Sequence, residues 1–301
     1  MDERGALALL ETELEAVGDD AAVIDSLVVT TDMLHDRTDF PDGTARYTAG
    51  WRSVGASLSD VAAMGAEATA AVAAYAAPTF DREELLEFVR GASDVCEIVG
   101  AEYVGGDLDE HQEFTVTTTA IGSADETVAR SGARPGDLVC VTGTLGDSAA
   151  GLELFQRAAD GGPNADAVLE RANDLFQFQP RVAAGRALAP HATAMMDSSD
   201  GLARSLHQLA AASDCGFAIE SDEIPIDDTL LEVAADDAKA LELATTFGED
   251  FELVATVPSE SLEAVRDATD VPLSIVGTVL ECNDGITLDG ETLADAGYTH
   301  G

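Results

Sequence analysis

Lysine is almost missing from this chain. Lys239 stands alone, and 15 Lys and Arg face 58 Asp and Glu, a formal net charge of −43 over 301 residues. Such a surface repels other polyanions, so neither nucleic acid nor an anionic membrane is expected as a partner. The same shortage removes nucleotide chemistries that depend on lysine. There is no Gly-x4-Gly-Lys motif, and Lys239 lies in an acidic stretch of helical spacing, so P-loop and protein-kinase catalysis lack their central residue. Only four cysteines occur, at 96, 140, 215 and 282, with no Cys-x-x-Cys spacing. Three of them sit in apolar runs and read as packed thiols rather than zinc ligands or disulfides. The five histidines (35, 111, 191, 207, 300) show no metal-ligand spacing, and no Gly-x-Ser-x-Gly supports a serine nucleophile. No apolar run approaches the ~18 residues of a membrane span, and Met1-Asp2-Glu3-Arg4 does not open a signal peptide. A soluble, reduced, cytoplasmic protein is expected.

What is present is core and acid. Hydrophobic residues make up 46% of the chain, enough for two domains at this length. The acidic, lysine-poor balance resembles that of cytosolic proteins from high-salt organisms, where screening removes much of the self-repulsion. Along the chain, helices are expected over 2–16, 49–64, 81–99, 147–159, 165–174, 180–189, 203–209 and 236–245. Strands are expected over 26–31, 68–76, 101–107, 114–121, 138–142, 192–196, 217–220 and 251–257. His35–Thr48 reads as a loop, and the tail as short strands and turns. The turn-rich stretch Val128–Asp137 divides the chain. The expected fold class is α+β (mixed α/β) in two domains, 1–134 and 135–301, of related design.

The stretch with most chemical content is Asp197-Ser198-Ser199-Asp200-Gly201-Leu202, at an expected strand-to-helix junction. A first helical turn starting there would bring Asp197 and Asp200 toward one face. A bland alternative is a helix cap. Acids beside small residues recur near other strand ends, at Asp19, Asp20, Asp32, Asp107, Glu249 and Asp250, and within a helix at Asp60. Hard oxygen ligands of this kind suit Mg²⁺, which binds through a few carboxylates together with substrate phosphates. With 58 acids in the chain, any one such turn also arises by chance. Gly143-Thr144-Leu145-Gly146 after a strand is a further, weaker phosphate-loop candidate.

The full set of motifs resembles the thiamine-monophosphate kinase family, and more loosely the superfamily of aminoimidazole ribonucleotide synthetase (PurM-like), selenophosphate synthetase and hydrogenase-maturation proteins. It comprises Gly18-Asp19-Asp20-Ala21-Ala22, Thr30-Thr31-Asp32-Met33-Leu34, Leu58-Ser59-Asp60, Gly105-Gly106-Asp107, Arg130 to Asp137, Val141 to Leu152, Asp197 to Leu202 and Gly248 to Leu253. The resemblance covers nearly the whole chain, in the family's order. It implies ATP-dependent phosphorylation of thiamine monophosphate to thiamine diphosphate, a homodimer joined through the N-terminal domains, and several Mg²⁺ ions in the cleft. It further implies metal binding by Asp20, Thr30, Thr31, Asp32, Asp60, Asp107, Asp197 and Asp200. ATP contacts would fall to Gly106, Asp107, Arg130 and Ser199, and substrate contacts to Glu249 and Tyr298. Asp39 stands where the family commonly has a substrate-contacting histidine, with His35 as a candidate replacement. Ser57 stands for an asparagine, and Leu108 and Asp109 for threonines. Another ATP-dependent enzyme of the superfamily, or a non-catalytic acidic cation-binding protein, are the alternatives. Against selenophosphate chemistry the first cysteine is Cys96, and against hydrogenase maturation the C-terminus has none.

Overall fold

The computed structural model describes residues 9–10, 13–14, 18–162 and 164–297. Most of the helix expected over 2–16, and Tyr298, lie outside the described residues. The first sheet is built from β1 (Ala22–Ile24), β2 (Leu27–His35), β3 (Glu67–Ala77), β4 (Glu102–Glu110) and β5 (Thr115–Ser123), in the order β1-β2-β5-β3-β4. All neighbours are antiparallel except β3 and β4. A parallel pair needs a crossover, and the helix Arg82–Ile98 supplies it, capped by Asp81, whose carboxylate accepts the Glu83 and Glu84 amides.

The second sheet runs β12-β11-β8-β10-β6-β9-β7. Its strands are β6 (Leu138–Thr142), β7 (Ala194–Asp197), β8 (Cys215–Ile219), β9 (Leu253–Val257), β10 (Leu273–Glu281), β11 (Ile286–Leu288) and β12 (Glu291–Thr292). Strands β6, β7 and β9 are apolar and buried throughout or nearly so. That explains why they read as continuous runs rather than alternating ones.

The helix Arg46–Ala63 joins the two halves. It is rich in Ala, Ser and Gly, and 14 of its 18 residues are buried, so it has no solvent face of any width. A β-carbon on Gly91 of the neighbouring helix would lie 1.9 Å from the Tyr47 carbonyl oxygen, and one on Gly50 2.2 Å from that of Phe88. These helices therefore touch backbone to backbone, which only glycine permits. On its other side the helix meets the second half. Trp51 Nε1 donates to the Phe178 carbonyl at 2.6 Å, and the Ala45 amide donates to Asn173 Oδ1 at 2.8 Å. One hydrophobic cluster runs across both halves, from Phe40, Tyr75, Phe88 and Phe114 to Met195, Leu253 and Val257.

The inner face of the first sheet carries this core. The outer face leaves Leu27 and Met33 exposed. Among the described residues, Cys96, Cys140 and Cys215 are buried free thiols, as packing predicts, and Cys282 is exposed.

Three local expectations are corrected. The segment 35–48 is not all loop: it holds a helical turn, Asp36–Asp39, and the long helix already starts at Arg46. The tail holds a helix, Leu262–Ala268, which buries only Val265, too little apolar spacing to show a period. Strand β4 does not stop at Asp107 but continues to Glu110. A register shift opposite Ala71/Val72 absorbs Val104, and Gly106 lets the edge strand press on β3, where a β-carbon would lie 1.7 Å from the Ala73 oxygen.

Candidate active site

Strand alternation and one helix turn assemble the acids. Thr30 and Asp32 point to the inner face of β2, toward the helix carrying Ser57, Ser59 and Asp60. Asp197 arrives at the end of β7, and Asp20 from the turn before β1. Carboxylate oxygens of Asp20, Asp60 and Asp197 lie within 4.8 Å of one another. Hydroxyls hold the set in place. Thr30 donates to Asp60 at 2.5 Å, Ser57 to Asp32 at 2.5 Å, and Ser59 to Asp197 Oδ2 at 2.7 Å.

Burial, then the neighbouring acids, push the Asp60 carboxyl well above its ordinary value. Burial, then Asp20, push Asp197 up to about 7. Asp32 is raised by burial against the lowering bond from Ser57. Two carboxylates about 4.8 Å apart repel by roughly 3 kcal/mol at an effective dielectric of ~20, so three together demand protons or cations. Arg130 supplies one charge: its Nη2 donates to Asp20 at 2.9 Å and its Nε at 3.2 Å. Burial opposes that charge, but Asp20, Asp197 and Asp60 hold the guanidinium in its charged form. Asp197 Oδ1 and Ser198 Oγ are buried without a hydrogen-bond partner among the described residues. Convergent hard oxygens, raised carboxyls and an orphaned inward oxygen fit a divalent cation.

Other expected residues fall elsewhere. Thr31 points to the outer face of the first sheet, where its hydroxyl donates to the Thr118 carbonyl, so its side chain is on the opposite face from Asp60. Asp107 is exposed in the row Met33–Thr117–Ala74–Asp107, also on the outer face. Three strand spacings, about 14 Å, part it from β2. It does not join the acidic cluster of its own chain, nor does its neighbour Gly106.

Ser199 and Asp200 lie in the turn after β7. The following helix, Leu202–Ser213, begins only at Leu202, so Asp197 and Asp200 do not share a helical turn, contrary to expectation. Asp39 is buried, and its Oδ2 accepts the His35 amide at 2.7 Å and the Thr38 hydroxyl at 2.8 Å. His35 Nδ1 lies 3.1 Å from Thr115 Oγ1. The Gly143–Gly146 loop is not a phosphate cradle, because the Gly146 and Ser148 amides are already taken by Asp250, at 2.7 and 3.0 Å.

Glu249 sits in the loop before β9, where Glu249 (φ 63°) and Phe251 (φ 53°) both adopt left-handed backbone. Around it lies a second acidic group. Glu252 is bound by Arg181 Nε at 2.8 Å. Asp250 is raised to about 7 by burial, against the two amide bonds. Asp147 is raised to about 8 by burial, then by Asp227 and Asp250. Sequence reasoning missed Arg52, which is fully buried and pairs with Glu249 at 2.6 Å. Its only trace in the sequence is a cation in the middle of an Ala/Ser/Gly-rich helix.

Comparison with known proteins places these features in a family. Residues 18–124 match the family model of the AIR synthase related protein, N-terminal domain, and residues 134–289 that of its C-terminal domain. The chain is 65% identical over 300 residues to the thiamine-monophosphate kinase of Halobacterium salinarum, covering 100% of both chains. It is 40% identical to that of Methanospirillum hungatei, over 100% of this chain and 99% of the relative. Among solved structures, AaThiL complexed with AMPPCP and TMP superposes with a TM-score of 0.87 at 28% identity, covering 100% of this chain and 97% of that one. Hydrogenase maturation protein HypE, in complex with ATP, shares the fold at a TM-score of 0.69 and 20% identity, over 93% of this chain and 87% of that one.

Proposed function

The chain belongs to the AIR synthase related proteins and, within them, to the thiamine-monophosphate kinases, and from that premise we propose how its residues carry the reaction. It phosphorylates thiamine monophosphate with ATP, giving thiamine diphosphate and ADP. The acceptor is itself a phosphate, largely ionised near neutral pH because its second pKa is about 6. An acceptor oxygen attacks the γ-phosphorus in line as the bond to the β-phosphate oxygen breaks, and no general base is needed. Catalysis reduces to positioning and charge neutralisation.

The observation that carries this reading is the convergence of Asp20, Asp60 and Asp197, with Asp197 Oδ1 buried and without a hydrogen-bond partner among the described residues. These three, with Asp32, Asp200, Thr30 and the backbone at Thr31, would hold Mg²⁺. When bound, Mg²⁺ neutralises the phosphates of donor and acceptor against the acidic wall. Ser57, Ser59 and Thr30 orient the carboxylates by donating to them. Arg130 and Ser199 face the nucleotide. Glu249 and Tyr298 serve the thiamine moiety. Asp39, tied to the His35 amide and Thr38, acts by fixing the turn Asp36–Asp39 rather than as a free ligand.

We divide the chain at 134/135 and assign a homodimer through the outer face of the first sheet. Leu27 at 40% and Met33 at 56% exposure, flanked by Val29, Val72 and Ile121, form an apolar face that a second copy would cover. In its own chain Asp107 is separated from the cluster, so Gly106 and Asp107 reach a nucleotide site only across that interface. A high-salt cytoplasm suits the charge of −43 and the origin of the Halobacterium salinarum relative, and the same charge argues against nucleic acid. No helix among the described residues is long and apolar enough to cross a membrane.

The test is an assay with ATP, Mg²⁺ and thiamine monophosphate in molar KCl, reading thiamine diphosphate by chromatography. Product that disappears with EDTA is expected. ATP binding without product would move the search to other substrates of the superfamily.

A further inference from the structure

Arg52 comes from the helix that carries Asp60, yet among the described residues its hydrogen bonds go to Phe176, Ser148 and Glu249 and none goes to the acidic cluster. Its Nη1 donates to the Phe176 carbonyl at 3.0 Å. Its Nη2 donates to the Glu249 carboxylate at 2.6 Å, the Glu249 carbonyl at 3.0 Å and Ser148 Oγ at 3.2 Å. The guanidinium lies 4.4 Å from the Phe176 ring centroid, and 5.5 and 5.6 Å from those of Phe178 and Phe251. Those last two rings stack on each other at 4.2 Å. Arg52 is fully buried, and its Nε has no partner among the described residues.

A desolvated cation with an orphaned donor is expensive to keep. What it secures is a loop in an unfavourable backbone. Two non-glycine residues in left-handed conformation within three positions cost on the order of 1–3 kcal/mol each and persist only where the surroundings over-determine them. The surroundings here do so. Ser148 Oγ donates to the Glu249 carbonyl at 2.6 Å, and the Glu249 amide donates to the Ser199 carbonyl at 2.6 Å. Among the described residues, Arg52 is the one group that grips both the backbone and the carboxylate of Glu249. Oε2 is consumed by Arg52, while Oε1 has no hydrogen bond among the described residues.

We propose that Arg52 is a positioning residue for thiamine monophosphate: it fixes the loop Gly248–Phe251 and turns Glu249 Oε1 toward a hydrogen-bond donor of the substrate's amino-heterocycle. This rests on the reading of Glu249 as a substrate ligand. It also places substrate recognition and metal binding on one rigid helix, through Arg52 and Asp60, two turns apart.

The test compares Arg52→Met, which keeps the bulk of the side chain without charge, Arg52→Lys, which keeps the charge without the fork, and Glu249→Gln, alone and combined. Arg52→Met is expected to raise KM for thiamine monophosphate roughly tenfold to a hundredfold, the worth of a hydrogen bond to a charged group. KM for ATP should stay within about twofold, and Arg52→Lys should recover part of the loss. Because the two residues act as a unit, Arg52→Met/Glu249→Gln should raise KM no more than Glu249→Gln alone. Equal losses toward both substrates, or multiplying effects in the double variant, would overturn the positioning role. An unchanged KM in Glu249→Gln would instead overturn the substrate reading of Glu249. Absent product from the unaltered enzyme would overturn the proposed function itself. Should Arg52→Met fail to fold, Arg52→Lys alone decides by the same comparison of the two KM values.

Discussion

Asp147→Asn should make the protein more resistant to alkaline pH. Asp147 opens the helix Asp147–Ala159, and burial together with Asp227 and Asp250 raises its carboxyl from 3.8 to about 8. The sign follows from linkage. A folded-state value above the unfolded one means that the native state binds the proton more tightly. The associated stability is present in full below about 4 and is lost as pH rises toward about 8. Between pH 5 and pH 8.5 the loss spans about three units, or ~4 kcal/mol at 1.36 kcal/mol per unit. Asp147 is only half-buried, and solvent screening reduces this to roughly 2 kcal/mol. Asparagine keeps a donor for the hydrogen bond to Asp227 but does not titrate. With unfolding entropy near 2.1 cal/mol/K per residue over the 301-residue chain, the variant should gain roughly 3 °C in Tm relative to wild type on going from pH 5 to pH 8.5. Thermal melts of both proteins in molar KCl across that range measure it. Subtracting the two curves cancels the titration of the many surface acids. A difference that stays flat with pH would refute the placement of Asp147 among Asp227 and Asp250.

Asp60→Asn should lower kcat by at least a hundredfold while far-UV circular dichroism stays unchanged; near-normal turnover at saturating Mg²⁺ would sink the metal assignment. In the metal-free protein, Mg²⁺ at a hundred times its Kd should add about 2.7 kcal/mol of stability, read as a rise in Tm that EDTA reverses and that Asp60→Asn abolishes. Gly91→Ala puts a β-carbon 1.9 Å from the Tyr47 oxygen and should cost at least 1–3 kcal/mol by overpacking, seen as a lower denaturation midpoint. Met33→Glu, which charges the exposed outer face of the first sheet, should leave a monomer by light scattering, with product formation lost alongside the dimer.

Much of the site was readable because its chemistry is local in the chain. Asp20, Asp60 and Asp197 each stand beside small residues, and two of the three adjoin a strand end, which made them candidates, while the resemblance to the family supplied their expected role as metal ligands. Their hydroxyl partners were only half legible. Ser59 and Thr30 lay within recognised motifs, whereas Ser57 read as a departure from the family and proves to be the group that holds Asp32. Thr31 and Asp107 show the limit. Alternation along β2 turns Thr31 away from Asp60, and the strand order β2-β5-β3-β4 carries Asp107 across the sheet. Neither fact has a trace in the motifs themselves. Arg52 was invisible for a different reason: its partners, Ser148, Phe176 and Glu249, are 96 to 197 positions away.

The sequence by itself determined the acidic, lysine-poor surface, most strands and helices, and the identity of the carboxylates, because periodicity, capping and turn chemistry act over a few residues. Only the tertiary structure decided which carboxylates meet. That depends on strand order, on the face each side chain takes, and on how closely Gly50 and Gly91 let two helices pack. These are contacts between distant segments, fixed when one core closes around the helix Arg46–Ala63 and not before.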